Sequence, residues 1–154
     1  MILSGYGFKQ YEVSAYAKNK SYCLHNVNYW EFGDYLGIGA GAHSKLTAEN
    51  PLTITRFWKF KHPKEYLSAK QFIAEEKKIE GTELAFEFML NALRLKRPIP
   101  IQLFTQRTGL NFSNIEMPLK KAAEKKLLRW NEKEIELTAL GWQFMNEALE
   151  NFVS

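Results

Sequence analysis

Cys23 and His25 are separated by one residue, and Tyr29 and Trp30 follow closely. On a strand, alternation would point Cys23 and His25 the same way, so a thiolate and an imidazole could share a metal ion. Two donors do not complete a zinc site, and neither Cys-x-x-Cys nor His-x-x-x-His occurs in the chain. One imidazole nitrogen is enough for an axial haem ligand, and the rings of Tyr29 and Trp30 could stack on a macrocycle. The plainer alternative is a hydrogen-bonded core or surface histidine beside two aromatics.

The same stretch continues into GIGAGA, Gly37 to Ala42. It formally matches the dinucleotide fingerprint G-x-G-x-x-A, which also needs a helix directly after it and an acid about twenty positions on. HSKLTAENP is a poor helix, and Lys59 to Lys61 stands where the acid belongs. What survives is physical: backbone without side chains can approach a ligand closely, or can pack as a glycine-rich strand end under aromatics. Ser44 follows His43 directly, a spacing that rarely gives a reactive pair, and no orienting acid is evident. Glu31 and Asp34 read as solvated loop carboxylates.

Elements must position these groups. Ile2 and Leu3 suit the end of a helix stopped at Gly5. Tyr11 to Tyr16 alternates as a strand, YLGIGAGA is a second strand candidate, and Pro51 to Phe60 is a third. Pro63 opens a helical segment. From Thr82 to Leu95, Glu83, Glu87, Asn91 and Arg94 form a narrow polar stripe on an otherwise apolar helix, which places that helix in a core. Pro98 and Pro100 open a short helix closed by Gly109. Ser113 to Glu116 fits a capping box, yet Pro118 argues for a helix starting near Pro118. LLRWNEKEIELT predicts a hairpin turning at Asn131–Glu134. Thr138 then caps a last helix with Leu140, Phe144, Met145, Ala148, Leu149 and Phe152 on one face. This is the element order of a winged-helix-like module.

The bulk numbers narrow the class. With 154 residues, one cysteine and a net charge of +4, the chain can bury a core, has no internal disulfide, and suits a reducing cytoplasm. No apolar run reaches the length of a membrane-spanning helix. Lys120, Lys121, Lys125, Lys126 and Arg129 decorate the candidate recognition helix and wing. Glu116, Glu124, Glu132, Glu134 and Glu136 interrupt them, so a mixed solvated face is expected and no nucleic-acid partner.

YEVSAYAK, CLHNVNYW and GDYLGIGAGAHS, in that order, resemble the HemN/HemW family of oxygen-independent coproporphyrinogen III oxidase-like radical SAM proteins. The Tyr-Trp pair and the Gly-Asp-Tyr-Leu-Gly run are closer to the HemW branch of haem chaperones than to the true oxidases. FEFMLNALRL and the residues after it look like that family's C-terminal domain. The resemblance implies haem contact at His25, Asn26, Tyr29 and Trp30. It places Gly37, Ile38, Gly39 and Gly41 on the part of the barrel near S-adenosylmethionine. The family has Arg where this chain has Leu24, and Pro where it has Ala40. Its 4Fe-4S cluster needs Cys-x-x-x-Cys-x-x-Cys, which a chain with only Cys23 cannot supply.

The fold expected from this resemblance is α+β. A remnant of a radical SAM α/β barrel would occupy residues 1–60 and a connecting segment 61–81, followed by a mainly helical winged-helix-like domain at 82–154. The chain is then a C-terminal piece, excised or from a shortened gene, with no catalytic residues or metal site of its own. Haem and haem-acceptor proteins are the expected partners. Its early strands, short of barrel neighbours, are expected to be loose or to pair with another copy. The alternatives are a piece of a true oxygen-independent coproporphyrinogen III oxidase and a winged-helix DNA-binding module.

Overall fold

The structure, a computed structural model, describes residues 2–153. It begins with α1 (Ile2–Gly5), β1 (Phe8–Gln10), β2 (Tyr16–Lys18) and α2 (Leu24–Trp30). Then come β3 (His43–Glu49), β4 (Leu52–Lys59), α3 (Pro63–Ser68) and β5 (Ile73–Ile79). The remainder is α4 (Gly81–Ala92), β6 (Ile99–Pro100), α5 (Ile101–Thr108), α6 (Ser113–Glu124), β7 (Leu128–Trp130), β8 (Glu134–Leu137), α7 (Ala139–Gln143) and α8 (Met145–Glu150). Compactness groups these elements differently from the three sequence segments. Residues up to Phe32 cluster with Gly81 onward, and Gly33–Glu80 forms a second unit.

In the first unit α4 is central. Phe88 and Met89 are fully buried, and the Phe88 ring meets Phe32 at 5.8 Å and Phe104 of α5 at 5.2 Å, both edge-on. Burying each such ring contributes roughly 2–3 kcal/mol. Asn91, expected on the polar stripe of this helix, is instead buried. The α5 helix follows its punctuation, with Pro100 before it and Gly109 closing it at φ 69°. The α6 helix does not start near Pro118: it begins at Ser113 and carries Pro118 inside. The proline removes one intrahelical bond, but Ile115, Leu119 and Ala122 are fully buried along one face, and that burial outweighs the loss.

β6, β8 and β7 form a small antiparallel sheet in that order. The hairpin turn is built as the sequence predicts: Asn131 Oδ1 accepts from the amides of Lys133 at 2.8 Å and Glu134 at 3.1 Å. Thr138 Oγ1 accepts from Gly141 N at 3.0 Å and donates to Lys126 O at 2.7 Å, so it caps α7 and ties it back to the strand entry. The expected single last helix is broken at Phe144, whose backbone (φ −116°, ψ 47°) leaves the helical region. Ala148, Leu149 and Phe152 are buried as expected, while Leu140 and Phe144 are exposed.

The early strands are not unpaired. β1 and β2 form a hairpin, so the predicted strand through Tyr11–Tyr16 is mostly its connection. In the second unit β3, β4 and β5 make an antiparallel meander in chain order. The early strands are therefore paired within the chain, and each of these small open sheets keeps two edge strands. Pro63 sits at the start of α3, as its fixed φ favours.

Candidate functional site

The segment holding the histidine is a helix and not a strand. Cys23 is the N-cap residue of α2, and Val27 N donates to its carbonyl at 3.0 Å. Cys23 and His25 therefore do not share a strand face. Among the described residues, no cluster of three His, Cys, Asp or Glu could hold a metal ion. His25 is exposed and makes no side-chain hydrogen bond or ion pair among the described residues, so its imidazole ring is accessible. Beside it Leu24 is 81% exposed, which leaves an apolar surface at the start of the helix.

The other end of α2 is anchored. The Arg94 guanidinium lies 4.3 Å from the centre of the Trp30 ring, and Tyr29 meets that ring edge-on at 4.8 Å. Arg94 Nη2 also approaches Glu12 Oε2 at 3.6 Å, and Glu12 is 2% exposed. Its other oxygen accepts from Ser14 N at 2.9 Å and Ser14 Oγ at 2.8 Å. Trp30 Nε1, Arg94 Nε and Glu12 Oε2 are buried without a hydrogen-bond partner. Glu31 pairs with Arg97, so it is not a loop carboxylate in water alone. Asn26 and Tyr29 are half-buried. The sequence pattern placed Arg94 on a polar stripe, but nothing in the spacing joins it to Trp30 or Glu12.

The glycine run is a reversal and not a strand. Tyr35 bridges Lys45 through two backbone bonds of 3.0 Å, and the chain between them folds back on itself. Gly37 N donates to the buried Ser44 Oγ at 3.0 Å, and a Cβ added at Gly37 would collide with the carbonyl oxygen of His43. Gly39 (φ 104°) and Gly41 (φ 72°) take the left-handed backbone that favours glycine. A Cβ at Gly39 would meet nothing within 4 Å, so this side of the loop is open, and Ile38 next to it is 83% exposed. Gly37 is thus required by the loop's own packing, while Gly39 leaves backbone accessible.

His43 and Ser44 are adjacent on β3 and point to opposite faces, so they form no dyad. Asp34 is held by Lys45 Nζ at 2.8 Å and by Thr47 N and Oγ1, each at 2.8 Å. Burial pushes the Asp34 carboxyl up, but the hydrogen bonds from Lys45 and Thr47, with the Lys45 charge, outweigh it and hold the carboxyl below its ordinary value. The Lys45 side chain is 2% exposed, so this is a structural ion pair within the reversal.

A profile of the HemN C-terminal domain matches residues 79–144. Over 153 residues the chain is 43% identical to the heme chaperone HemW of Haemophilus influenzae, covering 99% of this chain and 39% of that protein. The heme chaperone HemW of Escherichia coli is 37% identical over 153 residues, covering 99% of this chain and 40% of that protein. The chain belongs to the HemN/HemW family. It spans about two fifths of the length of these curated relatives. The solved structure of coproporphyrinogen III oxidase (HemN) from Escherichia coli, described as a radical SAM enzyme, matches with a TM-score of 0.67. That match covers 98% of this chain and 38% of that one at 15% identity, so this family member shares the HemN fold, with mixed helices and small sheets. No described helix is long and apolar enough to cross a membrane.

Proposed function

We propose that this chain takes part in haem binding and transfer as a portion of a HemW-like radical SAM haem chaperone. The observation that carries the reading is the exposed imidazole of His25 on an anchored helix. Haem is the cargo, and its iron takes an axial nitrogen donor. His25 has the lone pair to offer and Leu24 an apolar surface to lie against. Asn26, Tyr29 and Trp30 complete the motif, with Trp30 acting by holding α2 in place. Names of relatives at 37–43% identity support the chaperone over the true oxidase, whose structure shares 15% identity and speaks for the fold alone.

Gly37, Ile38, Gly39 and Gly41 are read as facing S-adenosylmethionine in the whole protein, on the open side of the Gly39 turn. The iron–sulfur cluster does not fit this chain, since Cys23 is its one cysteine, and no step is derived through it. Residues 1–60 as a barrel portion and 82–154 as a winged-helix-like domain belong to the same reading, supported by a structural likeness that runs through 98% of the chain. Two of the five candidate wing and helix cations are paired with acids, Arg129 with Glu136 at 2.6 Å and Lys120 with Glu116 at 2.7 Å, which weighs against DNA binding.

Titration with haem tests the reading. A Soret shift on addition that is lost in His25→Ala supports it. No shift, or an unchanged shift in the variant, removes His25 as the ligand.

A further inference from the structure

Next to α2, in the same unit, lies a cavity of about 220 Å³. Its walls include Lys9, Tyr11, Tyr22, Val27, Lys96 and Arg97, and no carboxylate of the described residues lines it. The chemistry of the wall is divided. Tyr11 and Tyr22 stack at 4.7 Å to make an aromatic side, and the Tyr11 hydroxyl accepts from Cys23 N at 3.4 Å, which joins this wall to the N-cap of α2. Val27 brings α2 itself to the cavity. The lining also holds three cations, Lys9, Lys96 and Arg97.

Two of these cations have no acidic partner among the described residues. Lys9 makes no ion pair there. Lys96 Nζ donates to the neutral amide oxygen Gln10 Oε1 at 3.0 Å and sits 5.3 Å from the centre of the Trp142 ring. Arg97 is engaged by Glu31, and the carboxylate of Glu12 is taken up by Ser14 and Arg94. Charge left uncompensated on two adjacent segments, beside stacked rings, is suited to a ligand with a flat apolar body and carboxylate arms.

We propose that this cavity is the carboxylate-anchoring subsite for the tetrapyrrole, with Lys9 and Lys96 pairing with its two acid side chains. The proposal rests on the haem reading of α2. Its volume is too small for a whole macrocycle, so the acid edge enters while the ring stays outside the cavity. It also supplies positive charge near the motif in a chain that has Leu24 ahead of the histidine.

The test uses the 154-residue chain and three probes: haem, metal-free protoporphyrin and protoporphyrin dimethyl ester. Lys9→Gln/Lys96→Gln is expected to weaken the metal-free diacid roughly tenfold at low salt, with the loss shrinking as salt is added. The diester should bind wild type and variant alike within about twofold, and Lys9→Arg/Lys96→Arg should restore diacid binding. Circular dichroism of the variants controls for folding. Equal wild-type affinity for diacid and diester, no diacid binding, or unchanged diacid binding in the Gln variant overturns the proposal. Because the metal-free probe has no iron to ligate, its lysine dependence stands or falls separately from the Soret test of His25.

Discussion

Replacing Arg94 by Ala should loosen the helix that carries the histidine, and the size of the effect comes from two contacts. The guanidinium over Trp30 at 4.3 Å contributes about 1 kcal/mol for a half-buried cation on an indole face. The second contact is the approach to Glu12 at 3.6 Å. With Glu12 only 2% exposed, removing the cation leaves a buried carboxylate without its countercharge, a loss of about 2–3 kcal/mol. The Arg94 side chain is 31% exposed, so water entering the vacated space recovers part of this, and the expected total is about 2–4 kcal/mol.

A double-mutant cycle separates the terms. Glu12→Gln in the Arg94→Ala background removes the stranded charge and should recover about 1–2 kcal/mol, while Arg94→Lys keeps the charge and should lose only about 1 kcal/mol with the planar stack. Urea unfolding followed by far-ultraviolet circular dichroism gives the totals. Hydrogen exchange at the amides of Val27 and Glu31, which bond to Cys23 and Val27 carbonyls, reports on α2 itself. An Arg94→Ala chain within about 0.5 kcal/mol of wild type, or a double variant no more stable than the single, would refute the reasoning.

Gly37→Ala drives a methyl group into the His43 carbonyl oxygen, and should cost about 2–4 kcal/mol because backbone must move; urea unfolding of the variant checks it. Asp34→Asn should cost about 1–2 kcal/mol near neutral pH, a value discounted for the partly exposed carboxylate. Since the folded carboxyl titrates below its ordinary value, this contribution is fully present above the unfolded value of about 3.9 and is lost as pH falls through the lower folded value. The stability gap between wild type and Asp34→Asn should therefore close in acid, and a gap that widens below pH about 4 would contradict the ion pair.

Legibility in the sequence depends on whether a signal is local. Pro100 and Gly109 bracket α5, Asn131 closes its own turn, and Thr138 caps its own helix, so each signal sits within a few residues of its effect. The α6 start is hidden because the cost of Pro118 is local while the compensating burial of Ile115 and Leu119 is tertiary. The break at Phe144 is hidden for the same kind of reason: the apolar spacing runs on through a residue whose backbone turns away. With seven residues and no side-chain cap, α2 offers too few turns for periodicity to show. The glycine run alternates like a strand, and only the positive φ of Gly39 and Gly41 makes it a reversal.

The candidate site shows the same division at larger scale. Residue types single out His25 and the glycines, but not the groups that fix them, because Arg94 reaches Trp30, and Glu12 reaches Arg94, from distant sequence positions. The two halves of the motif also answer to different cores. His25 to Trp30 belongs with Gly81 onward, whereas Gly37 to Gly41 belongs to Gly33–Glu80. The histidine half depends on a cation over an indole and a buried carboxylate, and the glycine half on Ser44, His43 and the Asp34–Lys45 pair. A contiguous stretch of sequence therefore draws on two structural units. Substitutions at Arg94 and at Gly37 should differ in which amides lose exchange protection, α2 in the first case and the Tyr35–Lys45 reversal in the second. Equal loss at both places from either substitution would mean that the stretch behaves as one cooperative element after all.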